Sequence, residues 1–289
     1  MGRRQGSDHP YQGRWAALAT KHQKEQVFGR PLRKAVGLAL HVPTDLDTDL
    51  LGTFSGEVDR HGTSREVALR KARLGMNATG LTLGLASEGS FGPDPQLLFV
   101  PVDHEILTFI DDDLGIEVVE QILSPKTNYA HDTAGTFEDL KGFLARARFP
   151  SHGLIVRPNG LQPGLLFKGI TKFETLKEAL ERCTSASEDG LAHVETDMRA
   201  HMNPTRQRVL REVAVQLGRR LATLCPECRT PGWGVVDVVR GLPCEWCGGE
   251  TELIRMEIQG CPRCEYRESV PRGDGLRVAS AGDCSLCNP

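Results

Sequence analysis

The stretch WAALATKHQKEQVFGRPLRKAVGLAL occupies residues 15 to 40. Its opening, Trp15 to Thr20, is a short apolar run of strand length that breaks into the polar loop KHQKE. PLRKAVGLAL then shows helical spacing, and Pro31, whose missing N–H costs nothing in a first turn, is expected to start the helix. A strand, a polar turn and a helix in that order place a helix N-terminus, with its unpaired backbone N–H groups, where an anion can bind.

Downstream the same alternation continues. SREVALRKARLGMNA carries Val67, Ala68, Ala72 and Met76 on one helical face. LTLGLA reads as a strand ending in the glycine-rich turn SEGSFGP, which would display Glu88 at the strand's end. LLFVPV, ILTFIDD and IEVVEQIL read as strands, with DDDLG turning the last two into a hairpin. TFEDLKGFLARARF reads as a helix, GLIVRP as a strand and FETLKEALERC as a helix. In the strand HVETDM, His193, Glu195 and Asp197 alternate onto one face. Asn203 caps a final helix that opens with Pro204 and buries Val209, Leu210, Val213, Leu217 and Leu221. Strands and helices mixed in this way imply an α/β fold, a mixed sheet flanked by helices.

Residues 225 to 289 differ in kind. Eight of the nine cysteines form four C-x-x-C pairs there: Cys225 and Cys228, Cys244 and Cys247, Cys261 and Cys264, Cys284 and Cys287. A two-residue gap lets one turn present two thiolates to a metal at about 2.3 Å, and a second turn completes the tetrahedron, so two structural Zn²⁺ ions in a double zinc ribbon are expected. Four pairs allow three pairings. Neighbouring pairs sharing an ion is the expected one, with crossed pairing the alternative. Disulfides suit exported chains, and the opening MGRRQGSDHPYQGR lacks the apolar run of a signal peptide, so a cytoplasmic protein is expected. The lone Cys183 sits in a helical run and is read as a buried structural thiol. The resulting organisation is a flexible N-terminus over 1–14, an α/β domain over 15–223 and the zinc ribbons over 224–289.

With 289 residues, 39% hydrophobic and 25% charged, the chain can bury a core and is neither a disordered nor a membrane-spanning composition. The net charge of −3 lies wholly in the cysteine-bearing segment, which holds seven Arg, no Lys and ten acidic groups. Bound thiolates would deepen that charge. Nucleic acid is therefore the disfavoured partner, unless Trp233, Trp246 and Tyr266 supply stacking.

Three of these stretches, read together, resemble the nucleoside-triphosphate pyrophosphatases of the inosine-triphosphatase and Maf superfamily. ALATKHQKE resembles the strand and A-T-x-N-x-x-K loop that cradles phosphates, although His22 stands where that motif has Asn and Lys24 comes one residue early. TSREVALRKA, Thr63 to Ala72, follows T-x-x-E-N-A-x-x-K-A at the same spacing with Val67 for the Asn. LGLASEGSFG resembles the strand and turn that carry the metal-binding or basic carboxylate, which places Glu88 there. NPTRQRVL is similar to the pair opening the last helix, which gives Thr205 and Arg206. With ETDMRAHMNPTR, FPSHGLIVRPN and the cysteine pairs, the whole chain also resembles an uncharacterised bacterial family of unknown function.

The resemblance implies an inosine-triphosphatase-like fold and a Mg²⁺-dependent hydrolase of a nucleotide or another phosphorylated small molecule. Glu88 and Lys24 would be catalytic, and Thr20, Lys21, His22, Lys71 and Arg206 would bind substrate phosphate. The residues themselves give part of that set: Lys21, Lys24 and loop amides can meet the charge of a triphosphate, and Glu88 can hold the Mg²⁺ that bridges phosphate oxygens. Glu195 and Asp197 are further Mg²⁺ candidates, since an acidic strand face must be wet, liganded or paired. His152, Arg157 and Lys168 are candidate phosphate contacts, and Asp45, Asp47, Asp49 and Glu57 second-metal candidates. The plainer reading is a solvated charge for Glu88, Lys21, Lys24, Asp45, Asp47, Asp49 and Glu57, an ordinary loop or strand-end polar group for His152, Arg157 and Lys168, and neutralisation by Arg199 or Arg206 for Glu195 and Asp197. The competing function is a non-catalytic module, sensing a nucleotide or using its ribbons to bind protein or nucleic acid.

Overall fold

The first sheet is built around β1, Trp15–Ala19, in a computed structural model that describes residues 9–44, 46, 62–94, 99–160 and 164–288. Its strand order is β2 (Ala39–His41), β1, β3 (Leu83–Pro93), β4 (Pro101–Asp111), β5 (Ile116–Ser124). β1 runs parallel to both neighbours, while β3, β4 and β5 form an antiparallel meander closed by the expected hairpin at Asp111 and Ile116. On one face α1 (Glu25–Val36) and α5 (Pro204–Ala222) cover Leu18, Leu85, Leu107 and Phe109. On the other, α2 (Ser64–Thr79) packs on Ala17, Ala19, Ala86 and Ile110. The alanines and Gly75 explain how closely α2 lies: a Cβ at Gly75 would sit 3.4 Å from that of Ala19.

Local signals set several element ends. Thr63 and Glu66 form a reciprocal capping box at the start of α2, and Asn203 accepts a hydrogen bond from the Arg206 amide at 2.9 Å to cap α5. α1 departs from expectation, beginning at Glu25 with Pro31 inside it. Val27 and Phe28 join Leu32 and Val36 in the core under α5, and that burial outweighs a proline cost of about 3 kcal/mol. Residues 9–14, expected to be loose, are anchored: Tyr11 is wholly buried, meets Phe109 edge-on and donates its O–H to Asp111 Oδ2 at 3.0 Å.

A second sheet, β6 (His131–Ala134), β9 (Ala192–Thr196), β7 (Leu154–Pro158), β8 (Phe167–Ile170), is antiparallel throughout. It is backed by α3 (Lys141–Ala147) and α4 (Phe173–Ala186) around its own core of Phe143, Leu154, Val156, Leu176, Leu180 and Cys183. Beside the small cluster under α2, residues 15–223 therefore hold two larger apolar cores, one for each sheet. The N-terminus of α5 ties them together: Thr205 Oγ1 lies 2.9 Å from both His152 Nε2 and Arg148 Nη1, and Asn203 donates to Asn128 Oδ1 at 2.9 Å. The remaining residues form a meander, β10 (Gly234–Arg240), β11 (Ile254–Gly260), β12 (Arg267–Pro271). Among the described residues no helix is long and apolar enough to cross a membrane.

Candidate functional site

The cysteines gather into two groups of four, Cys225, Cys228, Cys261 and Cys264 in one and Cys244, Cys247, Cys284 and Cys287 in the other, and none is in a disulfide. Sulfur separations of 3.7 Å (Cys225–Cys264), 3.5 Å (Cys228–Cys261), 3.8 Å (Cys244–Cys287) and 3.7 Å (Cys247–Cys284) match the edge of about 3.8 Å of a tetrahedron with metal–sulfur bonds near 2.3 Å. Two metal ions such as zinc fit these sites. The pairing is crossed, which corrects the expectation that neighbouring pairs share an ion. Strand register gives the reason. Gly234 at the start of β10 pairs with Gly260 at the end of β11, so the first cysteine pair, just before β10, meets the third, just after β11. The second pair lies in the turn at the far end of β10, seven residues or about 20 Å away, and β12 carries the chain back to it with the fourth pair.

The turns are shaped for thiolates. Arg229 in the proximal turn and Gly248 in the distal one adopt left-handed backbone, and in the distal turn the amides of Trp246 and Gly249 donate to Cys244 and Cys247 Sγ at 3.4 Å. The Thr230 hydroxyl, 3.2 Å from Cys228 Sγ, holds that thiol down to about 6. The proximal centre is braced on the body: Arg220 of α5 donates to Gly232 O and Glu120 Oε1, and Trp233 is 7% exposed. The distal centre presents Trp246 and Leu286, 77% and 74% exposed.

A second constellation lies where β1 stops. β1 accompanies β3 only as far as Ala86, and β3 runs on to Pro93. Three cations reach that extension. Lys24, at the head of α1, donates from Nζ to Ser87 Oγ at 2.8 Å. Lys71 of α2 approaches from the other face and pairs with Glu88 Oε1 at 2.5 Å. Arg206 of α5 crosses above Gly89, where any Cβ would collide with it, and donates from Nε to Glu105 Oε1 at 2.5 Å, with its guanidinium 5.1 Å from the Phe91 ring. Burial, then the nearby Arg206 charge, brings Lys24 down to about 8. Burial, then the adjacent Glu105, pushes Asp103 up to about 8.

Glu88, Lys24, Lys71 and Arg206, singled out from four separate stretches of sequence, thus share one cluster. Glu88 is not at a turn as expected. It lies mid-strand and 4% exposed, because SEGSFGP pairs with β4 along its whole length. Thr20, Lys21 and His22 form the adjoining loop, where Thr20 Oγ1 accepts from the His22 amide at 3.2 Å and the His22 ring lies 5.3 Å from His201. Glu195 and Asp197 sit in the second sheet. Glu195 is 3.4 Å from His193, whereas Asp197, past the end of β9 and off the face of those two, is wholly buried with Arg199 and the Gly169 amide on its oxygens. His152 is occupied by Thr205 and Arg157 donates to Gly160 O, while Lys168 lies on β8. Asp45, Asp47, Asp49 and Glu57 lie outside the described residues. Cys183 is wholly buried, and its thiol is raised to about 11 by burial.

Sequence reasoning missed Asp103 and Glu105, which are wholly buried on β4. The available signal was their period-two continuation of the apolar face Leu107 and Phe109. Among curated proteins and among solved structures, none matches this chain. The family model described as a domain of unknown function, DUF6671, matches residues 71–289, which take in the extension of β3, both sheets' later strands and all eight metal-site cysteines, and the chain belongs to that family.

Proposed function

We propose that this protein is a metal-dependent hydrolase of a phosphorylated small molecule, of the nucleoside-triphosphate pyrophosphatase type, with zinc in both thiol centres as structural braces. The observation that carries this reading is the meeting of Lys24, Lys71 and Arg206 from three helices around Glu88 beyond the end of β1, beside the Thr20–Gln23 loop and the head of α1. Anionic ligands of α/β proteins bind outside the carboxyl ends of parallel strands near helix N-termini. In this reading Lys24, Lys71 and Arg206 balance phosphate charge, Thr20, Lys21 and His22 line the loop, and the acidic residues hold Mg²⁺, which when bound would polarise phosphate oxygens and activate water. Asp197, already held by Arg199, has the weaker claim to that metal. The free thiols support work in a reducing, cytoplasmic setting.

The test is incubation with a panel of nucleoside triphosphates and Mg²⁺. Pyrophosphate release that falls at least a hundredfold in Glu88→Gln supports the proposal, and no release from any of them sinks it. The close Lys71–Glu88 pairing favours a second reading, a module that binds a nucleotide without turning it over. That reading predicts ligand-dependent thermal stabilisation with no product.

A further inference from the structure

Among the described residues of the α/β body five carboxylates are buried: Glu88, Asp103, Glu105, Asp111 and Asp197. Three have cationic or hydrogen-bond donors on them, Lys71 for Glu88, Tyr11 and the Leu114 amide for Asp111, and Arg199 with the Gly169 amide for Asp197. β4 is different. Glu105 Oε1 receives Arg206, but among the described residues no donor reaches Glu105 Oε2 or either oxygen of Asp103. Asp103 and Glu105 alternate onto one face of β4, within hydrogen-bonding reach of each other and opposite Phe91 and Gly89 on β3. Three buried acidic oxygens facing one another without a donor call for a cation.

We infer that Asp103 and Glu105 bind a divalent cation, which enters together with a phosphate-bearing ligand. A single shared proton bridges two oxygens and leaves one buried Asp103 oxygen uncovered. A divalent ion taken bidentate by Asp103 and by Glu105 Oε2 covers all three, and Mg²⁺ characteristically uses one or two carboxylates, filling its other positions with water and substrate phosphate. Arg206 on Oε1 holds the Glu105 carboxylate in place, within hydrogen-bonding reach of Asp103. Formal charge explains the coupling to an anion. Asp103, Glu105 and Glu88 already balance Lys24, Lys71 and Arg206, so two added positive charges need phosphate beside them. This inference rests on the hydrolase reading for its ligand class, and it moves the metal from the Glu195 and Asp197 region to β4.

The test titrates Mn²⁺ into the full-length, zinc-loaded chain with and without pyrophosphate, reading free Mn²⁺ by electron paramagnetic resonance. One Mn²⁺ per chain is expected in the presence of pyrophosphate, bound at least tenfold more weakly without it. Binding should weaken at least tenfold in both Asp103→Asn and Glu105→Gln, each checked to be folded at the titration temperature by a retained cooperative melting transition, and stay within twofold in Glu195→Gln. Mn²⁺ binding that survives both β4 substitutions, or that is lost in Glu195→Gln instead, overturns the site. So does the absence of any pyrophosphate-dependent Mn²⁺ at millimolar concentration, which leaves a shared proton as the cation. Turnover does not enter the readout: bound Mn²⁺ without pyrophosphate release from any nucleotide would sink the hydrolase reading and leave the cation site standing.

Discussion

Two regions of this molecule crowd ionisable groups together, and they balance them in opposite ways. In the C-terminal segment eight thiols are gathered into two like-charged sets that hydrogen bonds from nearby groups ease and a metal ion would compensate. In the α/β body, Lys24, Lys71 and Arg206 are set against Glu88, Asp103 and Glu105, so the cluster is close to neutral before any ligand arrives. The difference lies in what surrounds each. The body closes over its charges with two apolar cores, whereas β10, β11 and β12 are mostly exposed or half-exposed strands with a cluster of only Cys244, Ala281 and Cys284 near the distal centre. Metal should therefore be a condition of folding in the first region and a companion of the ligand in the second.

The largest expected effect is that of metal removal. Chelation should unfold residues 224–289 while the two apolar cores keep their cooperative melt, since structural zinc contributes on the order of 10 kcal/mol to such segments. Amide dispersion in β10–β12 that persists after the thiols are stripped of metal would break the contrast. The crossed arrangement has its own stoichiometric signature. Cys225→Ser with Cys261→Ser should still hold one metal per chain, whereas Cys225→Ser with Cys244→Ser should hold none. Pairing of neighbours would reverse those counts.

Next in size is Arg206→Met, which strands Glu105 and Asp103 in the interior and should cost about 3–5 kcal/mol of stability in a denaturant melt. A loss under 1 kcal/mol would mean that the charge cluster is not compensated in the way its geometry implies. A smaller effect concerns pH. Lys24, held down to about 8, carries its charge below that pH and loses it above, so pyrophosphate affinity should fall as pH rises from 7 to 9. In Lys24→Met the affinity should be lower, with at least half of that pH dependence gone. Smallest of all, Trp246→Ala at the exposed tip should move stability by less than about 0.5 kcal/mol.

What the sequence revealed in advance was mostly local. The Asn203–Pro204 start of α5 and the Asp111 hairpin are written in neighbouring residues and came out as read, and the capping box at Thr63 is equally local although it was not read from the sequence. The cluster of Lys24, Lys71, Glu88 and Arg206 was legible residue by residue but not in its burial. Gly89 looks like turn punctuation, yet it is where Arg206 presses against a continuous strand. Pro31 misleads for a related reason, because packing against α5 overrides a local rule. Cysteine pairing was open because spacing fixes which residues form a turn, while the β10–β12 register decides which turns meet. Asp103 and Glu105 stayed hidden in a strand whose alternation is otherwise apolar.

Interleaving the cysteine pairs has a consequence for synthesis. When the first four thiols have left the ribosome, the chain owns half of each centre and the whole of neither. The proximal centre must wait for Cys264 and the distal one for Cys287. Until then the nascent segment displays loose thiol pairs that can trap metal in the wrong partnership, so correct assembly depends on β10 and β11 zipping together before an ion is captured for good.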